Sequence, residues 1–429
     1  MRQILILGAG KSSGVLIDYL VEHAATQDWH ISVADISREL ALQKTKGRAS
    51  TTAIGFDFYN EIKREQLIGK TDIVVSMLPA AMHTVIAEEC LQLKKHLVTP
   101  SYISDAMKKL NTDVKRQQLV FMNEVGLDPG IDHMSTMQIL DKLKAEGAEI
   151  IGYKSHCGGL VATESDTNKW HYKFTWNPRN VILAGQGEGH IQYLKNGKKV
   201  LLTYGELFTH TSEVKIKGHG KFESYPNRDS LKYVKEYGLH QVKTMYRGTL
   251  RVPPFCKGWN TLIQLGFTSR KEMPTVEFLN FVTHRAKDKN IIADKSTLHL
   301  LQEIAILPLL NKHRAKIIIP FEFLQSVLEQ SWKLHEHDKD RVVMLHEIDY
   351  KLKRKKYTLQ SSMVYTGKDA HHTAMAATVG LPVGMVVKLI LNNQIKKRGV
   401  LMPKHAEVYE PVLNELKSYG VIFKENVVN

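Results

Sequence analysis

The chain is poor in cysteine: Cys90, Cys157 and Cys256 are the three in 429 residues, and no two form a CxxC pair. That excludes a disulfide scaffold and a structural zinc site built on thiolates, and it points to a reducing compartment. A secretory signal is not expected, because the apolar opening MRQILILGAG turns glycine-rich before it reaches a signal's length. No apolar run is read as approaching the roughly 18–20 residues of a membrane helix. Low-complexity stretches and internal repeats are missing too. These absences predict a cytoplasmic protein with no membrane partner. Negative charge is in deficit, with 44 acidic residues against 59 basic ones and a net charge of +15. Such a field attracts anions, whether nucleic acid, a membrane surface or a polycarboxylate, without choosing among them.

What is present is ordinary core material, 43% apolar residues, in a chain long enough for two domains. From 1 to 125, apolar runs alternate with amphipathic stretches. Strands are predicted at Gln3–Leu7, Ile31–Asp35, Thr52–Phe56, Asp72–Met77, His96–Thr99 and Leu119–Met122, with helices between them. Runs this apolar are covered on both faces, which predicts a doubly wound parallel sheet of the Rossmann type. GLDPGIDH at 126–133 marks a break, followed by an amphipathic helix to Ala145. From 126 to 368 the pattern predicts an α+β domain with a largely antiparallel sheet. Its strand-like segments are IIGYKSHC, YKFTW, HIQYL, KVLLTY, VVMLHEIDY and TLQSSMVYTG, and a helical insert spans Thr275–His335. Residues 369–429 are expected to rejoin the first domain. The basic run Lys351–Lys356 reads as a solvated hairpin turn, because no aromatic interleaving accompanies it, so no nucleic-acid partner is expected. His335, Glu336 and His337 do not share a helix face and His371–His372 lack further ligands, so no metal site is assigned.

The sequence ILILGAGKSSG sets Gly8 and Gly10 between a strand and a helix, the context a dinucleotide fingerprint requires. Gly8 permits the tight turn and Gly10 lets backbone approach a pyrophosphate. The third position is Ser13, with Gly14 one later. Asp35 ends the second strand, where a carboxylate accepts from adenosine ribose hydroxyls and repels a 2′-phosphate. That favours NAD, with NADP as the alternative. The bland reading is a tight βα turn.

The motifs VTPSYIS at 98–104, GLDPGIDH, CGGL at 157–160, YKFTWNP at 172–178, YPNRDS at 225–230, RGTLR at 247–251 and HTAMAATVGLP at 372–382 come in order along the chain. Together they resemble the glutamate-forming saccharopine dehydrogenase family. The resemblance implies a Rossmann domain carrying a nicotinamide cofactor, a substrate domain that also dimerises, and a homodimer. It implies oxidation of saccharopine to L-glutamate and 2-aminoadipate 6-semialdehyde in lysine metabolism. The family's usual continuation of CGGL is replaced here by Val161–Glu164, and Val252–Pro254 follow RGTLR. These departures keep related C–N oxidoreductases, lysine dehydrogenase and carboxynorspermidine synthase, as alternatives. A non-catalytic nucleotide- or nucleic-acid-binding protein is the alternative from another class.

The resemblance assigns Lys11, Ser12, Ser13, Leu78, Pro79 and Thr99 to the cofactor with Gly8, Gly10 and Asp35. It assigns Ser101, Gly158, Lys173, Arg228 and Arg247 to the substrate, and Asp128, Cys157 and Tyr102 to the reacting carbon. Saccharopine carries three carboxylates, and an arginine fork engages a carboxylate bidentately. Arg228 and Arg247 are read in loop-rich motifs, with a surface or interdomain salt bridge as the plain alternative. Lys173 reads equally as a solvated strand lysine. Asp128 either relays a proton or caps the following helix, with Pro129 in its first turn. Cys157 is either close to the ligand or an inert buried thiol. Tyr102 either takes part or packs beside the nicotinamide.

Overall fold

The structure, a computed structural model, describes residues 1–186, 191–292 and 294–428. It divides into two compact units. The first is Met1–Gly147 with His371–Ile422, and the second is Ala148–Ala370 with Phe423–Asn429.

Strands are numbered along the chain. In the first unit, β1 (Arg2–Leu7), β2 (Trp29–Asp35), β3 (Thr51–Gly55), β4 (Ile73–Ser76), β5 (His96–Val98) and β6 (Val120–Met122) are joined by β17 (Gly399–Leu401). Their order is β17-β6-β5-β4-β1-β2-β3, all parallel. Apolar side chains of β1 and β4 are fully buried because helices cover both faces. The strand order reverses between β1 and β4, and ligand sites in such sheets form at that reversal, beyond the carboxyl ends of the strands. Helix Ser13–Gln27 follows β1 and helix His83–Gln92 follows β4.

Two boundaries differ from the expected ones. Helix Ile131–Ala145 belongs to the first unit, because it packs on the C-terminal helix Ala406–Ser418, where Tyr409 donates to Asp141 at 2.7 Å. The chain end belongs to the second unit, because β18 (Lys424–Val428) pairs antiparallel with the edge strand β16 (Lys355–Thr366). The expectation about apolar runs also fails. Helix Ala374–Leu391 has 18 residues at a mean hydropathy of 1.9, long and apolar enough to cross a membrane, and 89% of it is buried inside the protein. Its glycines let helix Ser13–Gln27 come close. A Cβ on Gly380 would stand 2.8 Å from the Leu16 backbone nitrogen, and one on Gly384 would stand 2.4 Å from the Tyr19 ring.

The second unit holds a nine-stranded sheet. Its main path runs β10 (Ser212–Ile216), β11 (Gly220–Pro226), β12 (Thr244–Arg251), β7 (Glu149–Val161), β15 (Asp340–Leu352), β16 and β18, with β8 (Ile191–Lys195) paired to β12 and β9 (Lys198–Leu202) paired to β8. Every pairing is antiparallel except β7 with β12. The largely antiparallel α+β domain is therefore as expected. The β15–β16 hairpin turns at Lys353 and Arg354, both at positive φ. The insert contains helices Thr275–Arg285, Lys295–Glu303, Ile306–Lys312 and Pro320–Ser331, with a ribbon of β13 (Met273–Pro274) and β14 (Ile317–Ile318). Ala293, within that insert, and His190, at the start of HIQYL, lie outside the described residues.

The segment YKFTW is not a strand. Tyr172 and Phe174 are buried with Trp170, Phe255, Trp259 and Trp332 in one aromatic cluster, and the Phe174 N–H donates to the Trp332 carbonyl at 2.8 Å. Alternating aromatics mimic a strand here. Their rings instead satisfy a core between helices, with edge-to-face pairs such as Tyr172–Trp332 at 5.3 Å.

Gly384→Ala should lower the melting temperature by several degrees. Tyr19 cannot swing away freely because its hydroxyl donates to Glu415 at 2.7 Å, and overpacking costs about 1–3 kcal/mol. Gly69→Ala, at the open end of helix Glu61–Gly69 with nothing within 4 Å, should be neutral in the same thermal scan. Equal melting temperatures for both variants would contradict the packing described.

Candidate active site

The loop after β1 is built as a cradle. Gly8 sits at φ 103°, and a Cβ there would meet the Met77 carbonyl oxygen at 2.9 Å. Only glycine suits both the conformation and the close pass over the end of β4. Around Gly10 there is open space. The Ser13 hydroxyl donates to the Gly10 carbonyl at 2.8 Å and fixes the loop to the helix start. No acidic residue stands in the first turn of that helix, so its N–H groups and dipole are left for an anion. Lys11 is exposed and Ser12 half-buried at the same loop. Asp35 ends β2. Its Oδ2 accepts from the Ala9 N–H at 2.7 Å and its Oδ1 from the Ser37 N–H at 3.0 Å. The carboxylate is thereby tied to the cradle and still has lone pairs for ribose hydroxyls. These features fit a nicotinamide dinucleotide.

Leu78 and the exposed Pro79 follow β4, and the buried Thr99 follows β5. Sequence reasoning missed what joins these strand ends. His83, 4% exposed, lies at the start of helix His83–Gln92. Its Nδ1 is 2.8 Å from Ser76 Oγ, and its Nε2 is 2.7 Å from Ser101 Oγ and 3.3 Å from Thr99 Oγ1. Burial pushes this imidazole down to about 4. Tyr102 donates to Asp128 Oδ1 at 3.2 Å, so these two expected residues meet. Asp128 is not a helix cap: Gly130 holds that position, and the helix starts at Ile131. Behind them the buried Glu124 accepts the Ile103 N–H at 3.0 Å and stands 2.8 Å from His133 Nε2.

In the second unit, Cys157 is buried on β7 and registers with Thr249 of β12 and Met344 of β15. Arg247 is not in a loop. It is buried on β12, in register with Ser155, and its guanidinium lies 4.4 Å from the Tyr233 ring centroid. The YPNRDS loop docks on it: the Asn227 N–H donates to the Arg247 carbonyl at 2.8 Å, and the Arg247 N–H donates to Ser230 Oγ at 2.9 Å. Arg228 is exposed in that loop at φ 51°. Cys157 and Arg247 thus share one sheet face, and the loop that carries Arg228 docks on the Arg247 backbone. Gly158 has a packing reason, since a Cβ would stand 2.7 Å from the Leu250 carbonyl oxygen. Lys173 is not a solvated strand lysine. Its ammonium is buried and paired with Asp338 at 2.7 Å.

Arg251 was missed. It lies four residues beyond Arg247 on β12, so alternation puts the two on one sheet face with Cys157. It is 4% exposed. Its guanidinium lies 5.0 Å from the Tyr172 ring, 5.1 Å from Phe255 and 5.7 Å from Tyr225. Nη1 donates to the Leu250 carbonyl at 2.8 Å, and Nε has no partner. Among the described residues no carboxylate is within ion-pair distance of it. Thr175, beyond Tyr172 in the same segment, is buried with its hydroxyl oxygen unpaired.

Comparison with known proteins agrees with this geometry. The saccharopine dehydrogenase NADP binding domain matches residues 4–122, and the saccharopine dehydrogenase C-terminal domain matches residues 126–421. A saccharopine dehydrogenase [NADP(+), L-glutamate-forming] of Pyricularia oryzae is 30% identical over 100% of this chain and 99% of its own. An α-aminoadipic semialdehyde synthase of Arabidopsis thaliana is 30% identical over 98% of this chain, which spans only 44% of that longer protein. The solved apo saccharopine dehydrogenase (L-Glu forming) of Saccharomyces cerevisiae superposes with a TM-score of 0.85 at 28% identity over the whole of both chains. A homospermidine synthase of Legionella pneumophila shares the fold, with a TM-score of 0.61 at 10% identity over 100% of this chain and 91% of its own. The description of the first family domain prints NADP and the name of the Pyricularia oryzae relative prints NADP(+), so the preference for NAD expected from Asp35 finds no support in them. With a full-length relative at 30% identity and the C-terminal family domain covering most of its length, the chain belongs to the saccharopine dehydrogenase family.

Proposed function

We propose that the chain oxidises saccharopine with a nicotinamide dinucleotide and water, giving L-glutamate, 2-aminoadipate 6-semialdehyde, the reduced dinucleotide and a proton. The observation that carries the substrate is Arg251, a buried cation without a carboxylate, on the face that holds Arg247 and Cys157. Leaving a charge desolvated and unpaired costs several kcal/mol unless a ligand supplies the counter-charge. Saccharopine brings three carboxylates, one of which can supply the counter-charge that Arg251 lacks. The names of the full-length relatives support the same substrate.

The dinucleotide, when bound at Gly8–Ser13 and Asp35, supplies the hydride acceptor. The residues of the chain do the rest. The arginines orient the substrate. Tyr102 holds Asp128 as a hydrogen-bonded carboxylate, suited to tune or accept a proton from the secondary amine, which must be neutral before hydride leaves. Water then adds to the carbon–nitrogen double bond of the substrate, and the bond to the glutamate nitrogen breaks as that nitrogen takes a proton.

For the cofactor, our reading of Asp35 is NAD, because a carboxylate at the end of β2 would repel a 2′-phosphate. The second reading is NADP, favoured by the relatives' names.

Three arms test these readings. Purified protein should reduce a dinucleotide with saccharopine and not with lysine. The ratio kcat/KM should be higher with NAD, and Asp35→Ala should narrow the gap, each factor of ten being about 1.4 kcal/mol. Equal or better use of NADP would select the second reading. Arg251→Met should raise the saccharopine KM by about tenfold or more, the loss of a charge-assisted contact. Its melting temperature should hold or rise, because an apolar isostere removes an unpaired charge. An unchanged KM with a lower melting temperature would make Arg251 a structural cation instead.

A further inference from the structure

Three hydroxyls at the carboxyl ends of β4 and β5 converge on one imidazole. Ser76 is completely buried, and its side chain has a single hydrogen-bond partner among the described residues, His83 Nδ1 at 2.8 Å. On the other side of the ring, Ser101 Oγ stands 2.7 Å from Nε2. Ser101 is half-buried. The ring is neutral over the working range, because burial lowers its basicity and its place at a helix start disfavours a positive charge. A neutral imidazole has one N–H and one lone pair, so the two serines must take opposite roles.

The burial of Ser76 decides which. If Nδ1 carried the proton, the Ser76 hydroxyl proton would have no acceptor in a dry interior, at a cost of about 1–3 kcal/mol. With the proton on Nε2, Ser76 donates to Nδ1, and Nε2–H donates to Ser101 Oγ. The Ser101 hydroxyl proton is then left unused by the protein. Thr99, whose Oγ1 accepts the Ser101 N–H at 3.3 Å, keeps its own hydroxyl proton too. The tautomer that satisfies the buried Ser76 hydroxyl is therefore the one that turns Ser101 into a donor.

We propose that His83 is a positioning residue of the dehydrogenase site: held as the neutral Nε2–H tautomer, it fixes Ser101 as a hydrogen-bond donor to a carboxylate oxygen of the substrate. This rests on the functional reading above for the identity of the acceptor. The tautomer itself does not depend on that reading.

Two experiments separate the parts. In ¹⁵N spectra of the imidazoles at pH 7–9, the signal that disappears in His83→Gln should show an unprotonated Nδ1 and a protonated Nε2. An Nδ1–H tautomer or an imidazolium would overturn the proposal whatever the substrate. In steady-state assays, Ser101→Ala should raise the saccharopine KM by about tenfold, as expected for one lost bond to a charged group. His83→Phe should do the same in the natural sequence and change KM by less than about twofold on top of Ser101→Ala, because both act through one contact. His83→Gln, whose amide N–H reaches the Nε2 position, should recover most of the loss. The dissociation constant of the reduced dinucleotide, read by its fluorescence, should stay within about twofold in every variant. Independent, multiplicative effects of the two substitutions, or a Gln variant no better than Phe, would overturn it. Absence of saccharopine oxidation by the unaltered protein would remove the carboxylate acceptor together with the functional reading, while the spectra still decide the tautomer.

Discussion

Strands β7 and β12 lie side by side because Gly158 carries no side chain. Any Cβ there would press on the Leu250 carbonyl and side chain, and one on Gly248 would press on Ser224 Oγ. The close approach at Gly158 accompanies the one parallel strand pair found among the described residues of this sheet. The register puts Cys157 beside Thr249 and Ser155 beside Arg247, with Arg251 two residues further along the same face. A slip of one residue would turn both arginines into the opposite face, where Leu160, Leu250 and Val343 form an apolar cluster. The chemistry of the second unit thus hangs on two glycines.

Electrostatics explain why the arginines are placed there. Arg247 rests on the Tyr233 ring, and Arg251 rests on three aromatic rings, contacts that soften its loss of water without neutralising its charge. In the first unit the cradle follows the reverse design. Helix Ser13–Gln27 leaves its positive end free of acidic residues, and Asp35 is the nearby carboxylate, tied down by two backbone N–H groups. Each unit keeps fixed donors facing the sign of charge its ligand brings.

The legible part of the sequence was the part with short periods and local meaning. Gly8, Gly10 and Asp35 sit on one βα unit, so spacing alone located the cradle. Six of the seven parallel strands described in the first unit were visible as apolar runs, and β17 was not. Arg251 was hidden although it stands in a quoted motif; reading RGTLR as a strand, where residues four apart share a face, would have exposed it. His83 had no signal, because a lone histidine at a helix start acquires meaning only through Ser76 and Ser101 on neighbouring strand ends. The aromatic run at 172–176 alternated like a strand and folded as core packing. Helix Ala374–Leu391 read as ordinary, although its apolarity reflects burial on all sides. The unit boundary moved from 125 to 147 because a long-range contact, Tyr409 with Asp141, decides where helix Ile131–Ala145 packs.

The central claim is that this site breaks the bond between the glutamate nitrogen and the side-chain carbon of the lysine half. Product analysis tests it most directly. Saccharopine, an oxidised dinucleotide and the purified protein should yield L-glutamate and 2-aminoadipate 6-semialdehyde in one-to-one proportion with reduced dinucleotide. Appearance of lysine and 2-oxoglutarate instead, or reduced dinucleotide without glutamate, would contradict the account.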